Sequence, residues 1–274
     1  MTRRPAYFEP VGTDRYLPTE HAGGAWRDDE IHFSPLGGLI THAIDQHRAG
    51  RHDPDQHPDQ HPDQHDDGKH LGRISFDILG RLGTDECGIR VETIRPGRTI
   101  ELVEATASIG GRAAVLARAW FVASGDTATV AGGQPAPLPA PDQAARHPMT
   151  QHWGGGFVTS LDVRATAPAQ PGRTTAWVRT GTDLVAGERV SPHAGFIALV
   201  DTANGIAVRQ SPARWMFPNL DLTLHLHRVP SGEWTGLDTT VTFGQEGLGL
   251  TSTVLHDASG PVGRAEQLLT VRQL

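Results

Sequence analysis

Three histidines, His57, His61 and His65, recur four residues apart, the interval at which imidazoles on one helix face could share a metal ion. Each stands in a Pro-Asp-Gln-His repeat between Pro54 and His65, and a proline in every repeat removes the helix that would align them. The segment from His52 to His70 therefore reads as a disordered surface insertion without a metal centre. His225 and His227 alternate with Leu224 and Leu226 and would share one strand face, but no third ligand stands near them, so a structural role is expected. Cys87 is the sole cysteine, which excludes an internal disulfide and gives no support for a thiolate metal site. No Gly-x-Ser-x-Gly nucleophile elbow is present, so the usual mark of serine nucleophilic chemistry is missing.

The elements that would position such chemistry emerge from an internal repeat. Ser34-Pro35-Leu36-Gly37-Gly38-Leu39-Ile40 matches Ser191-Pro192-His193-Ala194-Gly195-Phe196-Ile197, with Ser, Pro, the second Gly and Ile at equal offsets. Ser as N-cap accepts from an unpaired backbone N–H, and Pro at the first helical position has none to lose. The pattern predicts helices from Pro35 to about His47 and from Pro192 to about Asn204, the second closed by a left-handed cap at Asn204-Gly205. Further on, Arg81 to Glu86 aligns with Arg228 to Glu233 as a turn, and Val115 to Trp120 aligns with Pro261 to Glu266. Glu86 lies 32 residues before Arg118 and Glu233 lies 31 before Arg264, so the register is shared. Alternating apolar runs between these matches predict long antiparallel strands, Gly88 to Ile94 with Thr99 to Ile109 and Thr235 to Phe243 with Gly249 to His256. Gly156 to Arg164 and Thr174 to Gly181 supply early strands in the second half.

Each half therefore reads as a helix followed by a meander. The expected organisation is an N-terminal unit over 1–124 carrying the insertion at 52–70, a Pro- and Ala-rich linker over 125–148, and a C-terminal unit over 149–274. At 274 residues both units can bury a core, and the 32 glycines and 20 prolines suit a turn-rich β protein. A net charge of −7 argues against nucleic acid as the main partner. No apolar run follows Arg3 and Arg4 and none reaches the length of a membrane span, so no membrane partner and a cytoplasmic location are expected.

The stretch from Gly80-Arg81 to Arg118-Ala119-Trp120, the run Asn219-Leu220-Asp221-Leu222-Thr223-Leu224-His225-Leu226-His227-Arg228 and Gln267-Leu268-Leu269-Thr270-Val271-Arg272 together resemble the acyl-CoA thioesterase II group and its thioesterase-like actinobacterial relatives. The resemblance covers nearly the whole chain outside the insertion and the linker. It implies an α+β double hotdog, with two curved antiparallel sheets each wrapped around a central helix, and hydrolysis of acyl-CoA to a carboxylic acid and free CoA. No cofactor or metal is implied, acyl-CoA is the partner, and a homodimer of double hotdogs is conceivable. Carried over position by position, the family's catalytic residues fall on Asp201, Asn219 and Gln267.

The internal repeat sets these positions apart, since Asp201 stands opposite Ile44 and Gln267 opposite Phe121. A carboxylate after Phe196-Ile197-Ala198-Leu199-Val200 is pushed by burial toward the pKa of a useful base, unless it merely caps a loop or pairs with an arginine. Asn219 departs from the family's Ser or Thr, yet an amide can still orient a water. Thr223, four residues on and on the same face by alternation, offers a hydroxyl at greater distance. Backbone N–H groups near Gly38 or Gly195 would serve the oxyanion, where glycine permits close approach and a helix N-terminus adds a favourable dipole, and Arg228 and Arg264 would meet CoA phosphates unless they are simply solvated charges. The competing expectation is a noncatalytic acyl or acyl-CoA binding protein that keeps the fold while Asn219 marks a decayed site.

Overall fold

In strand β5, Ile100–Ile109, every second residue from Glu101 to Ile109 is buried, the period-two rule by which a sheet turns one face to a core. The computed structural model describes residues 4–24, 26–50 and 68–274, so the His57, His61 and His65 repeat lies outside the described residues. Along the first half run β1 (Ala6–Gly12), β2 (Arg15–Pro18), helix α1 (Phe33–Ala49), β3 (Lys69–Ile78), β4 (Cys87–Arg95), β5 and β6 (Arg112–Ala123). The second half carries β7 (Ala145–Arg146), α2 (Gly156–Thr159), β8 (Leu161–Ala165), β9 (Arg173–Thr180), β10 (Asp183–Val185), α3 (Pro192–Val200) and α4 (Thr202–Ile206). It continues through β11 (Trp215–Met216), β12 (Asp221–Leu226), β13 (Thr235–Phe243), β14 (Leu248–Asp257), β15 (Gly260–Thr270) and β16 (Arg272–Gln273).

The two sheets expected from the sequence are joined into one. Strand β3 of the first half pairs antiparallel with β12 of the second, Ser75 opposite Thr223 and Arg73 opposite His225, within a single 14-stranded sheet. Bare strand edges leave N–H and C=O groups unpaired, and each half-sheet satisfies one edge on the other. The segment over 125–148 is also packed, for β7 pairs with β8 and the Pro139 carbonyl accepts from Trp177 Nε1 at 2.8 Å.

Several local expectations shift for identifiable reasons. Helix α1 starts two residues early, because His32 is its N-cap and Nδ1 of that ring accepts from the Ser34 N–H at 3.0 Å. Ser191 does cap α3, accepting from the Ala194 N–H at 3.1 Å. That helix ends at Val200, with Asn204 and Gly205 inside the separate short helix α4 in place of a left-handed cap. The strand expected from Gly156 begins as α2, since Gly156 lies against the backbone of Glu20 and Phe157 N–H donates to the Gly23 carbonyl at 3.2 Å.

Helices α1 and α3 cross at Gly38, where a Cβ would stand 2.5 Å from Ala198 Cβ and 2.9 Å from the Ala194 carbonyl. Gly38→Ala must push the helices apart, with an expected cost of about 1–3 kcal/mol visible as a lowered thermal midpoint.

Candidate active site

Asp201 occupies the break between α3 and α4, and its side chain is 6% exposed. A carboxylate so placed needs partners. Its Oδ1 accepts two amide hydrogen bonds, from Asn219 Nδ2 at 2.8 Å and from Gln267 Nε2 at 2.7 Å. Gln267 faces inward from β15 beside Ala265 and Leu269, and its Oε1 is buried without a partner among the described residues. Asn219 precedes β12 at an isolated bridge to Leu269, and its amide also donates to the Asp221 carbonyl at 3.0 Å.

His32, the cap of α1, approaches from the first half and sets Nδ1 3.5 Å from Asp201 Oδ2. This is not an ion pair. Burial drives the imidazole pKa down to about 4, and its Nδ1 lone pair already receives the Ser34 N–H, so the ring is neutral with its proton on Nε2. Burial also lifts Asp201 to about 7, against the opposing pull of the Asn219 and Gln267 hydrogen bonds. The result is a carboxylate whose proton affinity suits general base catalysis near neutrality.

Two cavities meet at this carboxylate, both lined by Trp26, His32, Asp201 and Asn219. One, about 150 Å³, reaches the surface past Gly80 and Arg81. The other, about 30 Å³, lies among the buried residues Met149, Trp153 and Val158. Trp26 packs edge-on against Trp153 and Phe217, with ring centroids 4.8 and 5.2 Å apart.

Of the residues singled out in the sequence, Asp201, Asn219 and Gln267 are brought together and the others are not. Thr223 turns to the outer face beside Glu266, because the alternation breaks where Leu220 and Asp221 both lean outward while Asn219 turns in. Gly38 is spent on the helix crossing, and the Gly195 N–H donates to the Ser191 carbonyl at 3.0 Å. Neither offers a free oxyanion donor. Arg264 is exposed on the outer face of β15, opposite in alternation to Gln267. Arg228 directs all five N–H groups to Asp257 and to the carbonyls of Val229, Gly260 and Pro261. Its guanidinium holds a corner together and has none left for a phosphate. His225 and His227 are exposed, and the described residues contain no cluster of three or more His, Cys, Asp or Glu able to hold a metal.

His32 was not legible as a site residue. Reading Ser34 as the N-cap placed His32 outside the helix, whereas a polar side chain two residues before Ser34-Pro35 was the available signal.

Residues 23–122 match the family described as the acyl-CoA thioesterase N-terminal domain, and residues 141–271 match the acyl-CoA thioesterase C-terminal domain. Among solved structures, the chain is similar to an acyl-CoA thioesterase II, TesB2, from Mycobacterium marinum, at 17% identity over 97% of this chain and 96% of that one, with a TM-score of 0.63. It is also similar to a conserved protein of unknown function with a hot dog fold from Alicyclobacillus acidocaldarius, at 14% identity over 97% and 95% of the chains, TM-score 0.69. A third, provisionally assigned as a thioesterase, comes from Novosphingobium aromaticivorans, at 15% identity over 97% and 98%, TM-score 0.70. Comparison with curated protein sequences finds no match.

Proposed function

The chain belongs to the acyl-CoA thioesterase family, and we propose that it hydrolyses acyl-CoA with Asp201 as general base, Gln267 as water-positioning residue and Asn219 as the group that orients the carboxylate. One observation carries the assignment: the amides saturate Asp201 Oδ1 and leave two buried acceptors, Asp201 Oδ2 and Gln267 Oε1, without amide donors. A water donating one hydrogen to each would keep its lone pairs free. Both N–H groups of Asn219 are engaged, on Asp201 and on the Asp221 carbonyl, which leaves its Oδ1 to accept from a water.

In the reaction Asp201 Oδ2 takes a proton from this water as its oxygen bonds to the thioester carbonyl carbon. The tetrahedral oxyanion forms beside the start of α1, whose first residue, Phe33, lines the same cavity, so the positive end of the helix dipole favours it. Collapse breaks the C–S bond, and the CoA thiolate takes the proton from Asp201. The products are the carboxylic acid and free CoA.

We further infer that 1–124 and 149–274 are two hotdog units forming a double hotdog. The repeated arrangement of α1 with β4 to β6 and of α3 with β13 to β15 supports this reading.

Thiol release from an acyl-CoA panel tests the function. The expected kcat/KM falls about tenfold per pH unit below about 7, because only ionised Asp201 accepts the proton. Absence of turnover across the panel, with acyl-CoA bound intact, would instead identify a noncatalytic binder.

A further inference from the structure

The 30 Å³ crevice beyond Asp201 ends against a fixed wall. Trp153 Nε1 donates to the Gly205 carbonyl at 2.9 Å, and its ring stands edge-on to Trp26 and to Phe217, so it has no room to rotate. Met149 completes the wall, with Cε 3.1 Å from where a side chain on Gly205 would begin. Behind it lies a separate cavity of about 230 Å³, which reaches from Met149 and Val158 to Leu161 and Val163. Met149 and Val158 line both spaces and form the partition between them.

A thioester reacting at Asp201 would place its carbonyl between the two crevices, with the CoA arm in the one that passes the exposed Gly80 and Arg81 and the acyl group in the one lined by buried Met149, Trp153 and Val158. A single water needs roughly 10–15 Å³ of such volume, so the acyl crevice has room for about two waters and hence for an acyl group of only a few carbons. Another cavity, about 540 Å³ beside Phe196 and Leu199, shares no lining residue with either crevice and does not extend them.

From this geometry we propose that the enzyme is selective for short acyl groups, and that the Met149 and Val158 partition sets the chain-length limit. The inference rests on the hydrolytic reading above. It adds the substrate class.

The test compares kcat/KM for acetyl-, butyryl-, octanoyl- and dodecanoyl-CoA in the wild type, Met149→Ala and Val158→Ala, with thermal melts to establish folding. In the wild type butyryl-CoA is expected to exceed octanoyl-CoA by about tenfold or more, the scale on which a pocket discriminates methylenes. Opening the partition should raise the octanoyl to butyryl ratio about tenfold in Met149→Ala and by a smaller factor in Val158→Ala, through a gain on octanoyl-CoA. If wild type hydrolyses octanoyl- or dodecanoyl-CoA as fast as butyryl-CoA, the chain-length inference falls while the hydrolytic reading stands. If neither folded variant changes the ratio, the partition is not the limit. If no substrate is hydrolysed, both are overturned.

Discussion

Asp201→Asn is expected to lower kcat/KM by about 10³-fold or more, within the range removed when a general base is lost, and to leave the fold intact. The amide is nearly isosteric with the carboxylate. Its Oδ1 still accepts from Asn219 and Gln267, so both amide contacts survive while the ability to take a proton is lost. A second readout separates this from mere damage. A carboxyl whose pKa rises from 3.8 to about 7 on folding contributes stability that is complete below the unfolded value and lost as pH rises through the folded one. At pH 8 the wild type therefore carries the cost of a buried ionised group, on the order of 4 kcal/mol for a shift of about three pH units. Asp201→Asn carries none of it. The variant should melt higher than wild type at pH 8 and show a vanishing advantage near pH 4. A variant that is inactive and also less stable at pH 8 would point to a structural aspartate.

Arg228→Ala should act in the opposite sense, on stability and hardly on catalysis. Asp257 is 0% exposed in its side chain and is gripped by both terminal nitrogens of Arg228, with Ser231 and Ser259 N–H groups donating to it at 2.8 Å. Burial raises the Asp257 pKa, but the Arg228 and serine hydrogen bonds outweigh it and hold the carboxyl below its usual range. Removing the guanidinium leaves a buried carboxylate short of its main partner, an effect of about 3–5 kcal/mol. The serine contacts and the partial exposure of Arg228 place the expected loss near the lower end, with a fall of roughly 6–12 °C in the thermal midpoint. Because a depressed carboxyl pKa adds stability only while the group is ionised, the gap between wild type and variant should narrow as pH falls through the acid range. KM for acyl-CoA should change less than about threefold. A tenfold rise in KM with an unchanged melt would restore Arg228 as a phosphate ligand.

What could be read ahead of the structure depended on how local the determining interactions are. The two helices and the long strands were legible because N-caps, prolines and period-two burial are written within a few residues, as Ser191-Pro192 and Ile100 to Ile109 illustrate. Asp201 and Gln267 stood out because each is polar where its repeat counterpart, Ile44 or Phe121, is apolar and buried. Other features depend on distant partners. The pairing of β3 with β12 joins residues about 150 positions apart, and no local pattern specifies which edge finds which. Thr223 was misplaced by assuming unbroken alternation from Asn219, whereas the Leu268 N–H donates to Asp221 Oδ1 at 2.6 Å and holds that carboxylate outward. Arg228 looked like a ligand for anions because its anion, Asp257, lies 29 residues downstream.

The seam between β3 and β12 also bears on how many reaction centres the molecule can sustain. Two identical subunits related by a twofold axis must build every interface feature twice. In such a pair a carboxylate at the Asp201 position would recur at the Ile44 position, and the solvation penalty of a buried anion would be incurred on both sides. Joining the halves in one chain lifts that symmetry. Ile44 and Phe121 could become hydrocarbon, with Arg48 resting on the Phe121 ring at 3.8 Å, while His32 of the first half serves the carboxylate of the second. Duplication followed by divergence thus concentrates the thermodynamic cost of reactivity in one half and leaves the other free to stabilise the pair.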